Sequence, residues 1–365
     1  MQIKEITAFL ESLAPLAYQE SYDNAGLITG SGEWNCTGVL VSLDATPEVI
    51  EEAASRGCNL VVSHHPIVFG GIKKLNGKNY VEKAVILAVK QDIALYAIHT
   101  NLDNVLEGVN GRIASLLGLE KVQVLSPKAG FLKKLITFVP GSHLDAVRDA
   151  LFEAGGGEIG RYSECSFTVG GTGSYRPGSG TRPFAGTPGQ RHLEPEMRLE
   201  LIYPAPLETA LLRALRSSHP YEEIAFDLVP LSNVFNGLGA GCWGELPQAM
   251  EPADFLGWLK TVFRVPVIRH SAAGKKPIKR VALCGGAGSF LVNNALGINA
   301  DAYITADLKY HEFFDANDRI LLADPGHFET EQFTIDLLYD VLAGKFPTFA
   351  VFKTVLRTNP VNYYI

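Results

Sequence analysis

Two adjacent histidines, His64 and His65, end the apolar run Leu60-Val61-Val62 in the stretch NLVVSHHP, residues 59–66. Imidazole is the commonest protein ligand for divalent transition metals, although two neighbouring histidines alone are more often a polar loop. Two further stretches change that balance. AIHTNLD, residues 97–103, follows Ile93-Ala94-Leu95-Tyr96 and ends in Asp103. LLADPGHFETE, residues 321–331, follows another apolar run and sets His327 and Glu331 four residues apart, on one face of a helix. Three strand ends thus deliver three histidines and two carboxylates to one edge of a sheet. A mononuclear catalytic zinc takes three protein ligands, so five are too many for one ion. Two ions bridged by a carboxylate use them all, and such a pair lowers the pKa of water for hydrolysis.

Other side chains near these ends have weaker claims. Asp103 could merely cap the following helix, but carboxylate ligands often sit in such loops. His99 reads as a residue that orients a ligand or shuttles protons, and Glu329 is a second candidate shuttle. His311, close to Asp307, is balanced between a helix surface and a site role. Asp44 follows a strand and either lines the cavity mouth or is solvated. In YDNAGL, residues 22–27, Asp23 and Asn24 read as backbone caps rather than site residues. Gly285-Gly286-Ala287-Gly288-Ser289 opens a helix and could cradle a phosphate. It lacks both the dinucleotide fingerprint and the phosphate-loop lysine. His219-Pro220-Tyr221-Glu222 has metal-capable residues, yet a helix-stop turn explains it as well.

The elements that must position these residues alternate. A first helix spans 3–13, and a strand over 37–43 leads to Thr46, Pro47 and Glu48 at the start of a helix reaching about residue 56. The His-His strand, a helix over 79–90, the strand ending at His99 and a helix over 110–118 follow. This order predicts a parallel sheet with right-handed crossovers, with ligands at the carboxyl ends of its strands. The rhythm breaks near Leu125-Ser126-Pro127. Strands over 132–139, 197–203 and 224–229 with helices over 143–154 and 206–217 suggest a ferredoxin-like α+β unit, 128–232, inserted in the first. Within it, the Gly- and Pro-rich stretch 170–190 reads as a long loop or arm. Strands over 278–283, 302–305, 319–323 and 349–353, with helices over 289–297 and 329–342, restore the alternation. Residues 1–127 and 233–365 each hold about three βα units and together form one discontinuous α/β domain of two parts.

The 365 residues exceed one ordinary domain, and 47% hydrophobic with 19% charged content suits a globular core. A net charge of −7, a pI near 5.8 and no basic run exclude non-specific nucleic-acid binding. The amino terminus, MQIKEITAFLESLAP, has no apolar signal segment, and nothing approaches the roughly 18 apolar residues of a membrane span. Cys36, Cys58, Cys165, Cys242 and Cys284 lack CxxC spacing, as expected of reduced thiols in a cytoplasmic protein.

Taken together, SHHP, HTNLD, GHFETE, YDNAGL, SLDATPEV, GGAGS and ITADLKYHE resemble the NIF-three-like family of type 2 GTP cyclohydrolase I homologues. The resemblance covers the outer segments end to end. KLITFVP, AGGGEIGRYSECSF and HPYEE resemble the PII/CutA-like insert of a longer bacterial branch. It implies two α/β halves around a dinuclear centre, assembly into a ring-shaped hexamer, and His64, His65, Asp103, His327 and Glu331 as metal residues. The ions would be Zn, Fe, Mn or Ni. The implied activity is hydrolysis of a nucleotide, through GTP imidazole-ring opening, or of another phosphate-containing small molecule. The competing expectation is a non-enzymatic assembly that binds metal or senses a metabolite.

Overall fold

Val39–Ser42, Leu60–Ser63 and Ala94–Ala97 are buried along their whole length, and their unbroken apolar character is what parallel strands covered on both faces require. The computed structural model, which describes residues 1–272 and 274–364, sets these three side by side and parallel. Val351–Lys353 adds in parallel beside Val39–Ser42, and Gly26–Thr29 closes the other flank antiparallel to Ala94–Ala97. A second sheet has its own parallel trio, Ile278–Ala287, Ala302–Ala306 and Leu321–Asp324. Arg269–His270 flanks that trio on one side and Val234–Met250 on the other, both antiparallel, with Glu120–Ala129 beyond.

Alternation along the strands sorts their side chains into layers. Val39, Val41, Leu60, Val62 and Tyr96 share one core with Val281, Leu283, Ile304 and Ala323 of the second sheet. Helices Ile3–Leu13, Val109–Leu116, Pro252–Phe263 and Thr334–Lys345 add Ile6, Ile113, Phe255 and Leu338 to it. Leu40, Val61 and Leu95 pack instead under helices Pro47–Ser55 and Tyr80–Lys90. Each such side chain contributes about 1.5–3 kcal/mol by leaving water. Thr46 and Asn79 cap these two helices by accepting from the amides of Val49 and Glu82.

The chain divides into two compact units, Met1–Pro127 with Gly237–Ile365, and Lys128–Asn236. In the second unit the order is strand Leu132–Pro140, helix Leu144–Glu153, strands Phe167–Tyr175 and His192–Pro204, helix Glu208–Ser218 and strand Phe226–Pro230. The antiparallel sheet runs, in space, second, third, first, fourth.

Several sequence expectations need correction. The first six residues of the stretch read as a loop over 170–190 belong to the strand Phe167–Tyr175, which pairs residue for residue with His192–Pro204 up to Glu200. Its Gly-Gly-Thr-Gly carries no side-chain periodicity, so only the pairing reveals it. Glu120–Ala129 and Val234–Met250 had no sequence signal either, the latter interrupted by glycines. The helix expected over 329–342 is two, His327–Glu331 and Thr334–Lys345, and the one over 289–297 begins as a 3-10 turn, Ser289–Leu291. Cys36, Cys58, Cys242 and Cys284 are buried free thiols and Cys165 is half-buried. No helix among the described residues is long and apolar enough to cross a membrane.

Candidate metal centre

The first parallel trio ends where the chemistry begins. Leu60–Ser63 runs directly into His64 and His65, and Ala94–Ala97 reaches His99 and the short helix Thr100–Asp103. In the second sheet, Leu321–Asp324 is followed by helix His327–Glu331, with both named ends facing the same cluster. His64 Nε2 lies 3.6 Å from Asp103 Oδ1 and 3.8 Å from Glu331 Oε1. Glu331 Oε2 lies 2.9 Å from His65 Nε2 and 3.1 Å from His327 Nε2. The His99 ring is centred 5.2 Å from that of His64 and 5.4 Å from that of His65. Donor atoms of His64, His65 and His99 fall within 4.8 Å of one another, and so do those of His65, His327 and Glu331. His65 is common to both groups.

The other nitrogen of each ring settles which way its lone pair points. A carbonyl or an ionised carboxylate can only accept, so a ring nitrogen bonded to one carries the hydrogen. His64 Nδ1 donates to Ile98 O at 2.9 Å and His65 Nδ1 to Asp44 Oδ1 at 2.8 Å. His99 Nδ1 donates to Asp23 Oδ1 at 2.8 Å and His327 Nδ1 to Asp307 Oδ2 at 2.7 Å. In the neutral rings, the Nε2 lone pairs of His64, His65 and His327 thus face Asp103 or Glu331, and His99 also carries its lone pair on Nε2. His64 Nε2, Asp103 Oδ1 and Glu331 Oε2 are buried and make no hydrogen bond among the described residues; the short contacts to Glu331 are close without being aligned as hydrogen bonds. Buried lone pairs and carboxylates facing one another are unfavourable without a positive charge among them. Imidazole and carboxylate donors suit a divalent transition cation, so the residues fit a metal.

Protons are the competing occupants. Burial pushes His64 down. Burial acts the same way on His65, but the Asp44 and Glu331 carboxylates beside it outweigh burial and lift its pKa to about 10. Glu331 and Asp307 likewise overcome burial to raise His327 to about 9. Burial, then the charge of Glu331, holds Asp103 well above the usual carboxylate range; against its own burial, Glu331 is kept well below by the three histidines.

Two glycines make room for this cluster. Gly286, at φ +63°, is so close to Glu331 that a Cβ would collide with Oε1, and it lies 3.1 Å from His327 Nε2 by the same construction. Gly326, at φ +115°, passes equally close to the Glu329 carboxylate. The amide of Gly285 donates to Asn110 Oδ1 at 2.9 Å and that of Gly286 to Thr330 Oγ1 at 3.0 Å. Those two donors are therefore unavailable to a phosphate, and the glycine run serves the close approach of Glu331 instead. Gly286→Ala is expected to lose about 1–3 kcal/mol of stability through backbone strain and to weaken metal uptake by displacing Glu331. Urea titration and metal analysis of the variant check both.

The sequence profile of the Duf34/NIF3 (NGG1p interacting factor 3) family matches residues 1–360. The chain belongs to the Duf34/NIF3 family. It is 37% identical over 324 residues to a Halalkalibacterium halodurans protein named GTP cyclohydrolase 1 type 2 homolog, covering 88% of this chain and 87% of that one. The Bacillus subtilis protein of the same name is 36% identical over 327 residues, covering 89% and 88%. Among solved structures, a Bacillus cereus protein related to NIF3 superposes with a TM-score of 0.89 at 34% identity, covering 100% of this chain and 99% of the other.

In this NIF3-family chain the outer carboxylates Asp23, Asp44 and Asp307 are what sequence reasoning missed or underweighted. Asp23 joins YDNAGL to HTNLD, since its carboxylate also accepts from the Thr100 amide at 3.0 Å and from the Thr100 hydroxyl. Although burial opposes it, these bonds with that from His99 bring Asp23 down to about 2. Asp44 receives a second hydrogen bond, from Thr358 Oγ1 of the carboxyl-terminal segment. The only signal for Asp44 and Asp307 was an acid placed just after a strand. Asp44→Asn is expected to weaken metal binding about 10–100-fold, because the amide no longer enforces the tautomer of His65. Competitive chelator titration measures this directly.

Of the remaining candidates only Glu329 borders the cluster. Glu329 Oε1 accepts from Asn359 Nδ2 at 2.8 Å, and its buried carboxylate shares a cavity of about 390 Å³ with His65 and His327. His311 is exposed against Tyr310 and Phe314. His219 uses both nitrogens, donating to Phe138 O at 3.0 Å and accepting from the Tyr221 amide at 3.1 Å, which makes it structural.

Proposed function

We propose that this Duf34/NIF3 protein is a dinuclear-metal hydrolase acting on a nucleotide or another phosphate-containing small molecule. The observation that carries the reading is the convergence of inward-facing Nε2 lone pairs with buried, unsatisfied oxygens of Asp103 and Glu331. His64, His65, Asp103, His327 and Glu331 hold the two ions, with Glu331 between groups. When bound, the ions supply Lewis acidity toward a substrate oxygen and make water a better nucleophile. His99, tied to Asp23, and Glu329, tied to Asn359, are the groups placed to move protons beside the reacting bond.

The cavity of about 1250 Å³ that holds His65, His99 and His327 is also lined by Phe69, Lys73, Lys74 and Lys83. Aromatic and ammonium groups beside a metal centre suit a base carrying phosphate, in keeping with the relatives' name. In this reading residues 1–127 and 233–365 form the metal domain, built of two similar halves. Residues 128–232 are a ferredoxin-like, PII/CutA-like insert, supported by the split βαβ order of its elements. Exposed Phe290, Tyr310 and Phe314 favour burial against another copy, and the family resemblance makes the assembly a cytoplasmic homohexamer, which a native mass of six chains would bear out.

Protein purified without added metal should carry two ions per chain by elemental analysis, and should then be screened against nucleotides and phosphoesters. A content that stays at or below one ion after reconstitution overturns the dinuclear reading. Full loading with no turnover makes the protein a metal-binding or sensing assembly instead.

A further inference from the structure

The unit Lys128–Asn236 has a cavity of its own. Its four-stranded sheet is covered by helices on one face, into which Leu135, Val139, Leu199 and Leu201 point. Alternation therefore turns Glu196, Arg198 and Glu200 to the opposite face. There the segment after Phe167–Tyr175 folds back over the strands. Tyr175 Oη donates to Ala185 O at 3.0 Å, and the Arg182 amide donates to both oxygens of Glu222 at 3.0 and 3.2 Å. The half-open space is about 670 Å³, walled by Phe138, Tyr175, Phe184 and Tyr221, and Glu196, Arg176 and Arg198 also line it. The stretch 170–190 and the His-Pro-Tyr-Glu turn, unconnected in sequence, meet in this one place.

Only some of the carboxylates on this face have a cation beside them. Glu200 is matched by Lys134 at 2.9 Å and Arg198 at 2.8 Å, and Glu194 by His192 at 2.7 Å. Glu196, only 9% exposed, forms no ion pair among the described residues. Its Oε1 accepts from Tyr221 Oη at 2.7 Å, while its Oε2 has no hydrogen bond among the described residues. Gly173 leaves the space for that oxygen, since a Cβ there would collide with it. The rings stand ready around it, with Tyr221 centred 6.2 Å from Tyr175 and 5.8 Å from Phe184. After burial, the hydrogen bond to Glu196 and its charge push the Tyr221 hydroxyl up, and the charges of Glu194 and Glu196 do the same to Tyr175.

A carboxylate sunk among aromatic faces is unfavourable alone and becomes favourable beside a cation that also lies against the rings. We propose that this cavity binds a small organic cation, an ammonium group on an apolar body, with its charge on Glu196 and its body among Tyr175, Phe184 and Tyr221. The site lies wholly within this unit and does not depend on the metal reading.

The test uses the full chain, with tyramine as the probe and 4-ethylphenol as its uncharged counterpart, both titrated calorimetrically. Tyramine is expected to bind saturably and about tenfold or more tighter than 4-ethylphenol. Glu196→Gln should bring tyramine down to the level of 4-ethylphenol, and Phe184→Leu should weaken both probes, with metal content unchanged in either variant. Equal affinity for the two probes, no binding of tyramine, or undiminished binding in folded Glu196→Gln overturns the proposal. If Glu196→Gln does not fold, the affinity ratio on the unmodified protein decides alone.

Discussion

Glu331→Gln should lose at least one metal ion per chain while keeping its fold. Glu331 is the residue that meets three histidines at once, with Oε2 at 2.9 Å from His65 and 3.1 Å from His327, and Oε1 at 3.8 Å from His64. Glutamine has nearly the same shape but no charge, and its NH₂ donates to the lone pairs that otherwise coordinate. The substitution therefore satisfies the rings with hydrogen bonds and leaves nothing for a cation. Loss of an outer partner costs roughly 10–100-fold in affinity, and loss of a direct ligand should exceed that. Elemental analysis after exhaustive dialysis reads the outcome, with circular dichroism confirming the fold. Unchanged metal content would remove Glu331 from the ligand set.

Stripping the metal should lower the melting temperature by an amount that grows with pH. A ligand present at about 100 times its dissociation constant stabilises by about 2.7 kcal/mol, which corresponds to roughly 5–10 °C for a unit of this size. The pH dependence follows from the histidines. In the metal-free protein His65 is raised to about 10 and His327 to about 9, both above the ordinary value of 6.5. Their protonation stabilises the metal-free fold fully below about 6.5, and that contribution fades as pH rises through 9–10. Cations must displace the same protons, so metal binds more tightly as pH rises over that window. The gap between loaded and chelator-treated protein should widen from pH 6.5 to 9 in scanning calorimetry. A gap that stays constant or narrows would mean that protons and metal do not share these sites.

What sequence alone determined was local. Leu60–Ser63 and Ala94–Ala97 are legible because strands buried on both faces must be continuously apolar, and a histidine ending such a run stands out. His327 and Glu331 are legible because one helical turn fixes their spacing. Tertiary structure decided the rest, since the deciding contacts join residues far apart in the chain. The tautomer of His99 rests on Asp23, 76 residues away, and Asp44 is bonded by Thr358 across 314 residues. No periodicity encodes such pairs. Phe167–Tyr175 was invisible for a related reason: its glycines leave no alternating pattern, and only hydrogen bonding to His192–Pro204 makes it a strand. Gly286 shows the same division, for sequence reads a possible phosphate cradle where the fold requires a backbone with no Cβ beside the Glu331 carboxylate.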